Sequence, residues 1–150
     1  MRPDDIAAVI DIAGDLGLSY WSRADYIDEA SRNDSISLVM ANAEELVVGF
    51  IVGRIVPGNT EASKDAEIYN IGVVEDQQRR ALGSYLLRQF LARCAKAEVS
   101  SLWLDVRISN LKAIRFYRKH GFVDTATRPG FYSHPAEDGI LMELVDVKAL

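Results

Sequence analysis

Arg79 and Arg80 stand side by side in "QQRRALGS", directly before Gly83 and a long run with an apolar stripe. If that run is a helix, both guanidinium groups lie at its positive end, where unsatisfied N–H groups already carry about half a unit of positive charge. Without a partner, each arginine there costs roughly 0.3–1 kcal/mol. A phosphate or pyrophosphate reverses that sign. It accepts hydrogen bonds from the N–H groups and pairs with the guanidinium forks. Gly83, lacking a Cβ, leaves room for close approach. Solvated arginines on an exposed helix end are the alternative that the eight residues leave open.

Other reactive side chains read differently. Cys94 is the single cysteine and falls on the apolar face of the same run, as a core residue does. His120 and His134 have no second ligand spacing around them, so no metal site is expected.

These residues need elements to hold them. "DDIAAVIDIAGDLG" repeats apolar residues at Ile6, Val9, Ile10 and Ala13, a helical stripe. "YWSRADYIDEA" begins a second helix, with Ser22 as N-cap, Asp25 completing a capping box and Trp21 with Tyr26 as a hydrophobic staple. "SISLVMA" and "LVVGFIVGRIV", joined by "NAEE", read as a β-hairpin. "AEIYNIGVV" is a third strand, and a helix follows from Ala81 to about Glu98 with Leu82, Leu86, Phe90, Leu91 and Cys94 on one face. "SLWLDVR" alternates, with Leu102, Leu104 and Val106 on one side and Trp103, Asp105 and Arg107 on the other. A short helix follows, capped by Ser109 or Asn110 and ended by Gly121. "GFVDTA" and "GILMELV" close the chain as strands, with "TRPGFYSHPAEDG" as the loop between them. The strand–helix–strand stretch predicts a parallel pair inside a mixed sheet.

The chain's 150 residues suit a single domain, 1–150, and its 49% hydrophobic content is ordinary for a soluble globular protein. No apolar run approaches the ~18 residues of a membrane span. "MRPDDIAAVI" turns acidic too early for a signal peptide, and one cysteine forbids an internal disulfide, so a cytoplasmic location is expected. The net charge of −5 disfavours nucleic acid and suits a cationic partner, or serves only solubility.

With "NIGVVED" before it and "LWLDVRISNLKAIRFYRKHGF" after it, the arginine stretch resembles the GNAT superfamily of N-acetyltransferases. That family's signature is a strand, then Q/R-x-x-G-x-G/A, then a helix. The matching residues here are Gln78, Arg79, Arg80, Ala81, Leu82 and Gly83. The second stretch is most similar to the bacterial ribosomal-protein-alanine N-acetyltransferases (RimI-like). The resemblance implies a mixed α/β fold, a mostly antiparallel sheet with a central parallel pair and flanking helices. Two departures stand out. The first signature glycine is Ala81, whose methyl either crowds the phosphates or is accommodated by ordinary helical dihedrals. The strand that opens the family is short or missing.

Acetyl transfer from a thioester to an amine needs a held cofactor, a neutral amine, a stabilised oxyanion and a proton for the thiolate. The resemblance assigns acetyl-CoA to the signature residues and Ser84. It implies that Ile71, Gly72 and Val73 run beside the pantetheine arm, with the Val73 N–H as oxyanion donor. Asn110 matches a pantetheine-binding asparagine, and Tyr117 the tyrosine that protonates the sulfur. Both also have plain readings, as a helix cap and a packed ring. Asp105 stands where RimI-like enzymes carry a glutamate base, with Arg107 placed to pair with it and lower its pKa. Glu67 is the rival base, and neither is the third option. Trp103 either lines the site or packs in the core. Tyr132 matches one of two tyrosines that grip a peptide N-terminus, the other being Phe131 here.

The expected reaction is direct attack by an amine in a ternary complex. The leading acceptor is a protein N-terminus of the ribosomal-protein-alanine type. An α-amine is about 10–15% neutral at pH 7, a lysine well under ~0.1%, so a weak base favours the former. The alternatives are a small-molecule amine or a lysine side chain, or a non-catalytic acyl-CoA-binding module. No nucleic acid or membrane partner is expected, and the chain is read as a monomer or homodimer.

Overall fold

The computed structural model describes residues 1–18 and 21–147. A 3-10 turn at Pro3–Asp5 leads into helix α1 (Ile6–Asp15), which buries Ile6, Val9, Ile12 and Ala13. Ile10, expected on that stripe, is only half-buried. Helix α2 (Arg23–Ser31) starts on the predicted capping box. The Asp25 N–H donates to Ser22 Oγ (3.2 Å) and the Ser22 N–H to Asp25 Oδ2 (2.7 Å). Trp21 stacks on Tyr26 at 5.1 Å, closing the staple.

Strands β1 (Ser35–Ala41) and β2 (Val47–Pro57) form the predicted hairpin. Asn42 shapes its loop, with Oδ1 accepting from the N–H groups of Glu44 and Leu46 at 3.0 Å each. Strand β3 (Lys64–Val73) pairs antiparallel with β2. Its register jumps from Gly53↔Ile68 to Val52↔Asn70, so Tyr69 is an extra, bulged residue. At Gly53 a Cβ would lie 2.2 Å from the Glu67 carbonyl and 2.5 Å from the Phe90 ring, so only glycine fits there.

Helix α3 (Leu82–Lys96) crosses to β4 (Val99–Arg107), which lies parallel to β3. Helix α4 (Leu111–Lys119) follows, capped by Asn110, and Gly121 at φ +92° ends the turn beyond it. The sheet order is β1-β2-β3-β4-β6-β5, with every pair antiparallel except β3–β4.

The segment read as a loop is mostly strand. Strand β5 runs Val123–Ser133 and β6 runs Ala136–Val145, leaving a tight turn at His134 and Pro135. The edge position explains the error. The pairing jumps from Arg128↔Gly139 to Tyr132↔Glu137, so Pro129, Gly130 and Phe131 bulge outward against one residue of β6. Gly130 takes φ +61°, and its N–H donates to Asp138 Oδ1 at 2.8 Å.

The sheet is covered on both faces. Leu86, Leu87, Phe90 and Cys94 of α3 and Ile114 and Tyr117 of α4 pack one face; α1 and Tyr26 of α2 pack Phe50 and Val52 on the other. Burial pushes the Cys94 thiol up to about 12, which makes it the inert core residue expected. Among the described residues no helix is long and apolar enough to cross a membrane.

Candidate active site

The parallel ladder between β3 and β4 runs from Lys64↔Val99 to Ile68↔Leu104 and ends there. Beyond it Tyr69 to Val73 stay with β2, while Asp105 to Arg107 stay with β6. The two strands diverge into an opening at the centre of the sheet. The Val74 N–H donates to Val48 O at 2.9 Å, toward β2. Alternation along a strand therefore turns the N–H groups of Ile71 and Val73 to the open side. Gly72 points its bare Cα at the other face, where a Cβ would meet Leu16 and Phe50 at 3.0 and 3.1 Å.

The chain leaves β3 into the Gln78–Ser84 stretch at the mouth of this opening. Gln78 is occupied locally. Its Nε2 donates to Val73 O at 2.8 Å, and its Oε1 accepts from Lys112 Nζ. Arg79 has φ 68° and Ala81 φ 60°, both left-handed. Ala81 thus lacks the ordinary helical dihedrals that were one way to accommodate its methyl; it is the αL N-cap residue of α3. Each such L-residue costs roughly 1–2 kcal/mol. Arg79, Arg80 and Ala81 are exposed, and Leu82, Gly83 and Ser84 half-buried. The nearest group to a Cβ on Gly83 is the Phe116 ring at 3.5 Å, an ordinary contact.

Helix α4 brings two further residues. Asn110 Oδ1 accepts from the Ala113 N–H at 3.1 Å, so it is the cap, and Ser109 is not. Tyr117 is 7% exposed, and its ring packs edge-on against Phe116 and tilted against Phe122, both at 5.4 Å. Burial raises its pKa, and the nearby Tyr132 hydroxyl raises it further.

Asp105 is the first residue of β4 past the end of the parallel ladder. Its partner is not Arg107 but Arg128, whose Nε lies 3.2 Å from Oδ1. That contact is an ion pair by distance only. Oδ1 is buried and makes no hydrogen bond, because the guanidinium N–H is not aimed at it. The expected lowering of the Asp105 pKa is also reversed. Burial raises it, outweighing Arg128, and Glu67 adds to the rise. Arg107 turns instead to Glu137 (Nη1 to Oε1, 3.1 Å).

Glu67 accepts from the Tyr69 hydroxyl at 3.0 Å. The Arg54 guanidinium lies 5.5 Å from the Tyr69 ring centroid and pairs with buried Glu29. Trp103 opposes Glu67 across the ladder, and its Nε1 donates to Asp65 Oδ2 at 3.0 Å. Tyr132 lies beneath the Arg107 guanidinium at 4.3 Å and edge-on to Phe131 at 5.0 Å. Its hydroxyl is pushed up to about 12, by burial first and the Asp105 charge second.

Glu67 thus helps to raise the Asp105 pKa, Asp105 that of Tyr132, and Tyr132 that of Tyr117, burial being the larger cause each time. The structure sets Asp105 where the strands part and Glu67 just inside the paired ladder, opposite Trp103. It ties Trp103 down toward the start of β3 and sets the signature loop at the mouth. A cleft of about 420 Å³, lined by Trp21, Asp25, Asp28, Glu29, Arg32 and Arg54, adjoins Tyr69, whose ring touches Trp21 and Arg54. Arg54 and Glu29 neutralise each other there. The sequence reading missed Arg128 and Tyr69. Tyr69 was legible as a same-face neighbour two residues from Glu67 on a strand; Arg128 was hidden inside the presumed loop.

Residues 6–122 match the acetyltransferase (GNAT) family. The chain belongs to that family. It is 39% identical over 82 residues to the ribosomal protein bS18-alanine N-acetyltransferase of Escherichia coli K12, covering 53% of this chain and 55% of that protein. It thus spans about half the length of the first curated relatives it matches. Among solved structures it is similar to Ard1 from Thermoplasma volcanium, with 34% identity, a TM-score of 0.84 and coverage of 97% and 93% of the two chains. It is also similar to the Escherichia coli ribosomal-protein-S18-alanine N-acetyltransferase, with 26% identity, a TM-score of 0.79 and coverage of 97% and 90%. The six-stranded mixed sheet with its central parallel pair is the GNAT fold that the motifs implied.

Proposed function

We propose that this chain transfers an acetyl group from acetyl-CoA to the N-terminal α-amine of a protein, by direct attack in a ternary complex. The observation that carries the reading is Asp105 Oδ1, a buried carboxylate oxygen without a hydrogen bond, just past the point where β3 and β4 separate. A buried acceptor left unsatisfied costs about 1–3 kcal/mol. The ammonium of an incoming amine, or a water bound to it, satisfies that oxygen. The raised pKa makes Asp105 a better base than an ordinary carboxylate.

The remaining roles are those the family resemblance assigns. The signature residues Gln78 to Ser84 and the open edge at Ile71, Gly72 and Val73 hold acetyl-CoA, with Arg79 and Arg80 on its phosphates and Asn110 on the pantetheine. The amine nitrogen attacks the thioester carbonyl, and Asp105 takes the amine proton through water. The Val73 N–H stabilises the oxyanion. The C–S bond then breaks, and Tyr117 passes its proton to the thiolate. Burial keeps Tyr117 protonated until that charge develops beside it. Tyr132 faces the acceptor, whereas Trp103, hydrogen-bonded to Asp65, takes the packing role. The relatives named for ribosomal-protein alanine acetylation favour an N-terminal acceptor of that kind.

The test is a pair of peptides of one sequence, with either the α-amine or an internal lysine free and the other amine blocked. The α-amine peptide is expected to react at least tenfold faster. Equal rates, or turnover of small amines alone, overturn the acceptor. Tyr117→Phe is expected to lower kcat by about 10²-fold with acetyl-CoA affinity within a few-fold. A chain that binds acetyl-CoA and acetylates no amine is a binding module instead.

A further inference from the structure

We propose that Arg107, held by Glu137, is a positioning residue that fixes Tyr132 against the end of the β3–β4 opening and so sets acceptor affinity. The inference rests on the reading of Tyr132 as an acceptor-side residue and goes beyond it.

The need for such a device comes from the fold. Strand β5 is the edge of the sheet, paired only with β6 and exposed along nearly all its length. Its three-residue bulge, from Pro129 to Phe131, interrupts the ladder just before Tyr132. Backbone pairing alone therefore holds Tyr132 weakly.

Arg107 supplies what the ladder does not. Nη2 donates to His134 O (3.0 Å), and Nη1 to Pro135 O (3.0 Å) and Glu137 Oε1 (3.1 Å). The flat of the same guanidinium lies 4.3 Å from the Tyr132 ring centroid. One planar group thus grips both residues of the turn and stacks on the tyrosine, which a lysine ammonium does not reproduce. Glu137 completes the clamp, with Oε2 accepting the Ser109 N–H at 2.7 Å. Ser109 immediately precedes Asn110, the cap of the helix that carries Tyr117. The clamp therefore ties the β5–β6 tip to the start of α4. Behind Tyr132, a Cβ on Gly139 would sit 3.2 Å from its ring, so the aromatic is packed on bare backbone. Side chains of Arg107 and Glu137 are 22% and 15% exposed, so solvent screens the pair only in part.

The experiment is steady-state kinetics of Arg107→Gln with each substrate varied, alongside amide hydrogen exchange. The expected result is a peptide KM raised about tenfold or more, with kcat and the acetyl-CoA KM within about threefold. Exchange should accelerate at residues 131–137 and nowhere in α3. Arg107→Lys should recover only part of the loss. In a Tyr132→Ala background Arg107→Gln should add less than twofold, because its effect passes through that ring. A loss confined to kcat, equal rises in both KM values, or full additivity with Tyr132→Ala overturns the proposal. Glu137→Gln, which keeps Arg107, is the second variant should Arg107→Gln fold poorly, with the same pattern in weaker form. If the wild-type chain acetylates no peptide, the functional reading has failed. Unchanged exchange at the tip then overturns the clamp separately, and accelerated exchange supports it.

Discussion

Two pairs of arginines near the β3–β4 opening are treated in opposite ways. Arg107 and Arg128 each face a carboxylate, Glu137 and Asp105, at 3.1 and 3.2 Å. Among the described residues, Arg79 and Arg80 have no carboxylate within 4.0 Å, and Arg80 donates only to Gln77 Oε1. The first pair has its counter-charge inside the fold. The second pair stands just before a helix start, Arg79 itself on left-handed backbone, with like-signed dipole charge beside both. Under the proposed function, the partner that Arg79 and Arg80 lack inside the fold is the phosphate of acetyl-CoA.

Arg54 marks one extreme of that contrast. It pairs with Glu29, which is 3% exposed. Arg54→Gln leaves that carboxylate buried alone and should cost about 3 kcal/mol or more, read from urea denaturation. A loss below about 1 kcal/mol would place this pair with ordinary surface arginines.

Arg79→Glu with Arg80→Glu marks the other. Acetyl-CoA affinity should fall roughly tenfold or more at low salt, with a smaller loss at high salt, as charge-assisted bonds to phosphate require. The melting temperature should not fall, since no internal pair is broken. Calorimetry showing unchanged affinity breaks the comparison.

Asp105 tests the matched side from its carboxylate. Its folded pKa is raised, so the folded state holds the proton more tightly than the unfolded state. Stability from this group is present at low pH and is lost as pH rises from the ordinary carboxylate value through the folded one. Asp105→Asn should therefore be more stable than the parent at pH 7, with the gap closing below about pH 4, while acetyl transfer falls. A variant that is less stable at pH 7 would show that the Arg128 attraction outweighs burial.

The smallest expected effect belongs to Ala81→Gly. Relief of left-handed strain, offset by the entropy of glycine, should leave a gain of about 0.5–1 kcal/mol. That corresponds to a melting temperature higher by about 1–3 °C. No change in a thermal scan would mean that the loop relaxes in solution.

Local signals were legible and non-local ones were not. The Ser22–Asp25 box and the Trp21–Tyr26 staple are decided within a few residues and are legible there, and the sequence narrows the cap of α4 to Ser109 or Asn110, of which the structure selects Asn110. The order of strands and helices implied the parallel pair. The closing strands were legible, but their extension through 127–139 reads as a loop because Pro129 and Gly130 punctuate it, and an edge strand absorbs both in a bulge. Arg107 was paired with Asp105 as a same-face neighbour on one strand. The real partner, Arg128, reaches across β6 from the part of β5 that the sequence pattern presents as loop. The backbone of Ala81 was hidden for another reason: alanine carries no propensity for left-handed dihedrals, so nothing in its identity announces them.

The divergence of β3 from β4 has an evolutionary consequence. What the open edge offers at Ile71 and Val73 is main chain, and main-chain groups are common to nearly every amino acid. Side chains there are free to drift under packing pressure alone while the offered donors are inherited unchanged. An alanine scan across these residues is blind to that inheritance. Only proline, which deletes the N–H, removes a donor from the lineage outright.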